Sequence, residues 1–171
     1  MKENTGLVTM GGNPVTLLGN IVEEGDKAPA FLLQKTDMSD AKLSDYSGKV
    51  IIISVVPSLD TPVCDLQTKR FNSEASELGD NVVILTVSMD LPFAQSRWCG
   101  ASDISSVVTL SDHRTAEFGT SYGVLMKGAR LLARSIFLID KEGKIAYKEL
   151  IKEIRDEPDY GSVLSKVRDL L

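Results

Sequence analysis

The sequence contains few of the residues from which metal sites and disulfide frameworks are built. Its 171 residues include two cysteines, Cys64 and Cys99, and one histidine. Structural zinc sites use closely spaced pairs of such ligands, so we expect no zinc site of this kind. No C-x-x-C pair occurs either, which argues against a thioredoxin-type disulfide exchanger.

Runs of basic residues and long apolar segments are also missing. The formal net charge of −5 and a pI near 4.9 argue against nucleic acid or an anionic membrane as the main partner. Residues 1–12 contain too few consecutive apolar residues for a secretion signal or a membrane span. We therefore expect a cytoplasmic protein. Thiols are kept reduced in that compartment, so the two cysteines should be reactive or incidental rather than a permanent cross-link.

The composition that remains is that of an ordinary globular protein. With 43% hydrophobic and 25% charged residues, the chain can bury a substantial core as one domain spanning residues 1–171. No internal repeat or long linker divides it. Residues 1–20 form an extension with two short apolar runs around Gly11-Gly12-Asn13-Pro14, which predicts an N-terminal β-hairpin.

Apolar runs bounded by turn residues predict the remaining elements. Strands are expected at 31–33, 50–56, 82–87, 107–110, 134–139 and 144–150, and one helical turn within 42–48. Helices are expected from Thr61 to near Gly79, over 93–99 ended by Gly100, over 114–118 ended by Gly119, and over 159–171. This order predicts an α/β fold of thioredoxin-like type. Its mixed sheet would be mostly parallel, with antiparallel strands at one side and helices on both faces.

The stretch from Val50 to Cys64 has the layout of an active site. Its continuous β-branched run is typical of a strand buried on both faces, and Pro57 cannot extend the ladder. Thr61 is a good N-cap residue and Pro62 suits the first helical position. Cys64 is therefore expected in the first turn of a helix.

A thiol in this position needs further support to become a nucleophile. A cysteine with the ordinary pKa of about 8.5 is only roughly 3% thiolate at pH 7. Bringing such a pKa to about 6 requires about 3.4 kcal/mol, whereas a helix N-terminus supplies ~2 kcal/mol at best. The best candidate for the missing cation is Arg134, which opens an apolar strand where an unpaired guanidinium is costly to bury. The Thr61 hydroxyl can turn towards the sulfur.

Structural alternatives remain open for these residues. Free cysteines are among the most buried residue types, so either Cys64 or Cys99, which follows Trp98 on an apolar segment, could simply fill the core. His113 is interpreted as a surface or capping residue. Asp60 and Asp65 favour the helix N-terminus rather than proton transfer.

Three segments of the chain resemble one protein family. The run Pro57-Ser58-Leu59-Asp60-Thr61-Pro62-Val63-Cys64 has the P-x-x-x-T-x-x-C form of the peroxiredoxin loop. Together with Asp90 to Gly100, Leu132 to Ser135 and the N-terminal hairpin, it is most similar to the bacterial thiol peroxidase subfamily, the atypical two-cysteine type. The resemblance covers nearly the whole chain.

The resemblance implies a function and a set of site residues. Cys64 would be the peroxidatic cysteine and Cys99 the resolving cysteine, while Pro57, Thr61 and Arg134 would shape the peroxide pocket. The implied reaction is reduction of hydrogen peroxide and alkyl hydroperoxides through a sulfenic acid and a Cys64–Cys99 disulfide, recycled by thioredoxin. The resemblance implies no metal or organic cofactor, and it implies a homodimer.

Two further points follow from the sequence. A redox sensor that uses the same cysteine pair without turnover is the main alternative function. Cysteines on helices that follow different strands are not expected within the ~4.4–6.8 Å between Cα atoms that a disulfide requires. We therefore expect both helices to unwind locally before the disulfide forms.

Overall fold

The computed structural model describes residues 1–171, and a seven-stranded sheet forms its centre. In spatial order the strands are β10 (Ile145–Leu150), β9 (Ser135–Ile139), β5 (Val50–Val55), β6 (Val82–Ser88), β7 (Val108–Ser111), β3 (Leu32–Lys35) and β4 (Asp40–Lys42). Strands β5, β6 and β7 are parallel to one another, and every other neighbouring pair is antiparallel.

The mixed sheet confirms the predicted fold class, but the expected strand arrangement was wrong: four of the six neighbouring pairs are antiparallel, so the sheet is not mostly parallel, and the antiparallel strands are not confined to one side. They lie at both edges, with β9 and β10 beside β5 and with β3 and β4 beside β7. At the second edge β3 pairs antiparallel with β7 and then forms a hairpin with β4, in which Leu33 pairs with Ala41. Strand β4 has only three residues, too few for a hydrophobic pattern to reveal it.

The predicted N-terminal hairpin is confirmed and belongs to a second, three-stranded sheet. Strand β1 (Glu3–Met10) pairs with β2 (Asn13–Leu18), and β2 pairs in turn with β8 (Leu125–Met126). Gly11 and Gly12 form the turn with positive φ angles of 58° and 80°, which glycine adopts without strain. The hairpin is thereby joined to the chain segment that precedes Arg134.

Four α-helices cover the main sheet. They are α1 (Pro62–Leu78), α2 (Pro92–Ser102), α3 (Glu117–Ser121) and α4 (Tyr160–Leu170), and a 3₁₀ turn spans Leu43–Tyr46 as expected. Alternate residues of β5 enter two different cores because successive side chains of a strand point to opposite faces. Ile52 packs with residues of α1 and α4, whereas Ile53 packs with residues of α3. Helices therefore flank both faces, as predicted.

Two glycines do not end helices where the sequence suggested. Helix α2 continues through Gly100 and ends at Asp103, which takes the left-handed conformation with φ 54° and donates its N–H to the carbonyl of Cys99. Gly119 lies inside α3, where a Cβ would come within 2.7 Å of the Leu132 side chain. Close packing, rather than a helix end, requires glycine there.

The topology brings three connections together at one edge of the sheet. The parallel strands β5, β6 and β7 end at Val55, Ser88 and Ser111, and their carboxyl ends lie side by side. Ligand sites of α/β proteins occur at such edges. Helix α1, which carries Cys64, begins here, as does α2, which carries Cys99. None of the helices has the length and apolar character needed to cross a membrane.

Candidate active site

Cys64 lies in the first turn of α1, as predicted, and its side chain is fully buried. It packs in a small apolar cluster with Val56, Leu59 and Trp98. A thiolate in such surroundings would be destabilised by the loss of water. The polar groups that reach the sulfur therefore decide its chemistry.

The Thr61 hydroxyl is the first of these groups. Thr61 is the N-cap of α1, but its side chain caps no backbone N–H. Its Oγ1 lies 2.6 Å from Sγ of Cys64 and 3.0 Å from the carbonyl oxygen of Ser58. The single hydroxyl proton can be donated to a Cys64 thiolate, or to the Ser58 carbonyl while the neutral thiol donates to Oγ1. Thr61 can thus serve both protonation states of the sulfur.

The Arg134 guanidinium is the second group. Its Nη2 donates to Sγ of Cys64 at 3.3 Å, Nη1 donates to Oε1 of Gln67 at 2.8 Å, and Nε donates to the carbonyl oxygen of Ile154 at 2.7 Å. Only 2% of Arg134 is exposed, and no carboxylate forms an ion pair with it. A buried cation without a counter-ion is costly. A Cys64 thiolate would neutralise it.

Two residues that position this arginine were missed from the sequence. The Gln67 amide accepts from Arg134 and donates its Nε2 to Oγ of Ser54 at 2.7 Å, and both residues are fully buried. Gln67 follows Cys64 by three residues and so lies on the same face of α1. Ser54 interrupts the apolar run of β5. A polar residue on each of these buried faces was the signal that could have revealed the pair.

The loop between β5 and α1 is held by a carboxylate from the next strand connection. Pro57 is buried two residues after the end of β5, and the next two residues contact Asp90. Ser58 Oγ donates to Oδ1 of Asp90 at 2.7 Å, and the backbone N–H of Leu59 donates to Oδ2 at 2.8 Å. Asp60 is exposed, and Asp65 forms an ion pair with Lys69 at 2.9 Å. Neither Asp60 nor Asp65 forms a hydrogen bond to the sulfur.

Cys99 lies in α2 and is a free thiol, as is Cys64. Its Sγ is 3.5 Å from Oγ1 of Thr109, and its side chain packs against the apolar cluster that contains Cys64 and Trp98. Cys99 is half-buried and lines a cleft of about 310 Å³. Each sulfur therefore has its own hydrogen-bond partner, and Cys99 is the less buried of the two residues.

The remaining titratable groups near this edge have structural contacts. Nε2 of His113 lies 2.7 Å from Oε1 of Gln34, and this partly exposed residue lies in a turn and caps no helix, since the N-cap of α3 is Ala116. Burial raises the pKa of Asp112 to about 6, although its carboxylate accepts the backbone N–H groups of Phe118 and Gly119. No cluster of three His, Cys, Asp or Glu side chains could hold a metal ion.

The geometry defines the chemistry that this site can perform. A buried sulfur, one hydroxyl donor and one unneutralised guanidinium converge at the N-terminus of a helix. Hydrogen bonds and a cation favour the thiolate, which is the nucleophilic form of cysteine. A second free thiol, Cys99, packs against the same apolar cluster.

Comparisons with known proteins agree with this arrangement. The family model described as Redoxin matches residues 23–164. A thiol peroxidase of Oceanobacillus iheyensis is 56% identical over 158 residues, which cover 92% of this chain and 96% of that protein. A thiol peroxidase of Bacillus subtilis is 50% identical over 164 residues, covering 96% and 98%. The crystal structure of a peroxiredoxin-like protein from Aquifex aeolicus has a TM-score of 0.91 at 41% identity, covering 98% of this chain and 99% of that chain.

The match extends over nearly the full length of each relative and includes the strand, loop and helix that carry Cys64. The chain belongs to the redoxin family and, within it, to the bacterial thiol peroxidases, which are peroxiredoxin enzymes.

Proposed function

We propose that Cys64 is the peroxidatic cysteine of a thioredoxin-dependent peroxidase and that Cys99 is its resolving cysteine. One observation carries the proposal: Arg134 is buried without a carboxylate partner, and its guanidinium donates to Sγ of Cys64. A cation in contact with the sulfur stabilises a thiolate relative to a thiol. Thr61 adds a hydrogen bond to the same atom, and Pro57 is buried at the start of the loop.

In the first step the Cys64 thiolate attacks one oxygen of the peroxide. The S–O bond forms as the O–O bond breaks, and the second oxygen leaves with the electron pair, takes a proton and departs as water or an alcohol. Sulfur is oxidised to a sulfenic acid while the peroxide is reduced. Arg134 and Thr61 can both donate towards the oxygens as negative charge moves from sulfur to the leaving group.

In the second step the Cys99 thiolate attacks the sulfenic sulfur of Cys64. The S–S bond forms, the S–O bond breaks, and hydroxide leaves and is protonated to water. The two sulfurs are held by different partners, Thr109 for Cys99 and Thr61 with Arg134 for Cys64. We propose that the first turn of α1 and the turn of α2 around Cys99 unwind to bring them together.

A dithiol protein would then reduce the disulfide through a mixed disulfide. We assign this part to thioredoxin, with the cytoplasm as the compartment in which a reduced pool is maintained. Cys99 is the sulfur that such a partner would reach first, because it is half-exposed and Cys64 is fully buried.

A homodimer with an interface beside the active-site loop is part of the same proposal. Three large apolar side chains remain exposed there: Leu66 at 53%, Leu91 at 52% and Phe93 at 66%. Leu66 is two residues after Cys64, and Leu91 and Phe93 are one and three residues after Asp90, which binds the loop. Exposed apolar residues grouped in this way are typical of protein interfaces.

Steady-state turnover distinguishes this proposal from a redox sensor. Peroxide is added to the protein with thioredoxin, thioredoxin reductase and NADPH, and NADPH oxidation is followed. The expected result is sustained oxidation that is abolished by Cys64→Ser, whereas Cys99→Ser permits one turnover but blocks recycling. A single stoichiometric oxidation of the unaltered protein would support the sensor. Full turnover by Cys99→Ser would support a one-cysteine mechanism.

The proposed substrates are hydrogen peroxide and alkyl hydroperoxides. We base the alkyl preference on the exposed Leu91 and Phe93 near Asp90, because apolar side chains beside the loop would remove an alkyl chain from water. Values of kcat/KM for hydrogen peroxide, tert-butyl hydroperoxide and cumene hydroperoxide measure the preference. We expect the larger values for the organic hydroperoxides.

A further inference from the structure

One carboxylate at the sheet edge contacts the loop of Cys64 and the connection that leads to α2. Asp90 lies between β6 and α2, and both of its oxygens accept hydrogen bonds. Oδ1 accepts from Ser58 Oγ, and Oδ2 accepts from the Leu59 N–H and from Ser88 Oγ at 2.8 Å. We refer to Ser58, Leu59, Ser88, Asp90 and Gln95 as the Asp90 cluster.

The Asp90 cluster reaches Cys64 through the loop backbone. The carbonyl oxygen of Ser58 accepts the backbone N–H of Thr61 at 3.1 Å and its hydroxyl at 3.0 Å. That hydroxyl is the group that contacts Sγ of Cys64. The position of Ser58 therefore sets the position of the donor to the sulfur. Two of the bonds that fix Ser58 and its neighbour Leu59 end on Asp90.

In the other direction the cluster reaches α2, the helix of Cys99. Ser88 Oγ accepts from Nε2 of Gln95 at 3.1 Å, and the same Nε2 donates to the carbonyl oxygen of Leu110 at 2.9 Å. Gln95 is fully buried in the first turns of α2, and its Oε1 has no hydrogen-bond partner. An unpartnered buried acceptor destabilises the element that carries it. The Gln95 amide thus anchors α2 through its Nε2 group, while its unpaired Oε1 atom destabilises the helix.

We infer that Asp90 is a positioning residue that holds the Thr61 hydroxyl against the Cys64 sulfur and connects the loop before α1, through Ser88 and Gln95, to the start of α2. The inference rests on the proposed role of Cys64 and adds the Asp90 carboxylate as the group that keeps the Thr61 hydroxyl in place. When the loop moves in catalysis, the Ser58 and Leu59 donors leave Asp90, and the carboxylate keeps only its hydrogen bond from Ser88.

The charge of Asp90 and its positioning role predict opposite effects on Cys64, which makes the inference testable. Removing a nearby negative charge favours a thiolate, whereas releasing the Thr61 donor disfavours it. Asp90→Ala removes both the charge and the hydrogen bonds. Asp90→Asn removes the charge, but its amide oxygen can still accept from Leu59 and Ser88, and its NH₂ can donate to Ser58 Oγ.

The measurement is the pH dependence of iodoacetamide alkylation of Cys64 in full-length protein carrying Cys99→Ser. With Asp90→Ala we expect the midpoint of the rate profile to rise by about one pH unit. With Asp90→Asn it should stay at or slightly below the parent value. An unchanged or lower midpoint for Asp90→Ala would overturn the inference. Alkylation consumes no peroxide, so this result stands independently of whether turnover is observed.

Asp112→Ala is the matched control. Asp112 is buried whereas Asp90 is half-buried, but Asp112 likewise follows a central strand, here β7, and accepts backbone N–H groups that hold α3 rather than the Cys64 loop. We expect a lower Tm with an unchanged alkylation midpoint. An equal midpoint shift in Asp112→Ala would show that the effect of Asp90→Ala comes from a general loss of stability and not from the Cys64 loop. If Asp90→Ala does not fold, Ser58→Ala removes one arm of the cluster and should raise the midpoint by a smaller amount.

Hydrogen exchange tests the connection between the two helices. Asp90→Ala should accelerate amide exchange both in residues 59–66 and in residues 92–102, about tenfold or more. Asp112→Ala should accelerate exchange in α3 instead. Acceleration of only one of the two thiol-bearing segments in Asp90→Ala would show that the carboxylate does not tie them together.

Discussion

The guanidinium of Arg134 and the sulfur of Cys64 are separated by 3.3 Å in the interior of the protein, and Arg134 has no carboxylate partner. Seventy positions separate the two residues in the sequence, and strand β9 follows directly after Arg134, beside β5. Because an unpaired buried cation is costly, the contact between Arg134 and Cys64 strongly favours the thiolate form of the cysteine.

Arg134→Gln should therefore slow the reaction of Cys64 with peroxide by about two orders of magnitude, equivalent to about 2.7 kcal/mol of activation free energy. The rate can be followed by stopped-flow fluorescence of Trp98, the single tryptophan, which packs in the cluster of Cys64. Arg134→Lys retains a charge but cannot bind Cys64, Gln67 and Ile154 at once, so an intermediate rate is expected. A wild-type rate for Arg134→Gln would contradict the proposed role.

Thr61→Val replaces the hydroxyl with a methyl group of similar size and removes the donor to Sγ. We expect the reaction with peroxide to slow by about tenfold, the value of one hydrogen bond to a charged group at the low end of its range. Thr61→Ser restores the hydroxyl and should recover most of the rate. Equal rates in the two variants would show that the hydroxyl contributes nothing.

Formation of the Cys64–Cys99 disulfide should loosen the first turn of α1 and the segment around Cys99. In the reduced protein each sulfur has its own partner within an intact helix. Hydrogen exchange of the oxidised protein should therefore increase in residues 61–66 and 96–102. Peroxide-treated Cys99→Ser supplies the control, because it cannot form the disulfide and should retain slow exchange in α2. Identical exchange in the reduced and oxidised proteins would rule out unwinding.

The stability of the protein should depend on pH through Asp112. Burial raises its pKa from 3.8 to about 6, so the folded protein holds this proton more tightly than the unfolded chain. Its contribution to the free energy of unfolding is fully present below about pH 4 and is lost as pH rises through about 6, a change of up to about 3 kcal/mol. Asp112→Asn lacks this titration. The difference in unfolding free energy between the two proteins, measured by urea denaturation from pH 4 to pH 7, should vary by an amount of this order. A constant difference would refute the assignment.

Local patterns were enough to predict the part of the site that is continuous in sequence. The run from Val50 to Cys64 places a strand, a loop and a helix in order, and each step has its own signal in β-branched residues, prolines and a capping residue. The role of Arg134 could also be predicted from the sequence, because a charged residue at the start of an apolar strand requires a partner. These inferences needed no knowledge of which elements are neighbours.

The residues that were missed depend on contacts across the fold. Gln67 meets Arg134 across 67 positions, and Asp90 meets Ser58 across 32 positions, so neither contact has a local signature. The helix ends predicted at Gly100 and Gly119 were wrong because glycine ends a helix only where the backbone takes a left-handed conformation. In α2 that conformation falls on Asp103, and in α3 the glycine makes room for Leu132.

The N-terminal hairpin is integrated into the domain through β8. Val8 and Leu17 belong to the main apolar core and are almost fully buried, and β2 supplies the pairing partner of Leu125 and Met126. Proteolytic removal of the hairpin would therefore expose apolar side chains together with an unpaired strand edge. Such edges template intermolecular pairing, so loss of the hairpin should lead to aggregation rather than to a smaller, active enzyme.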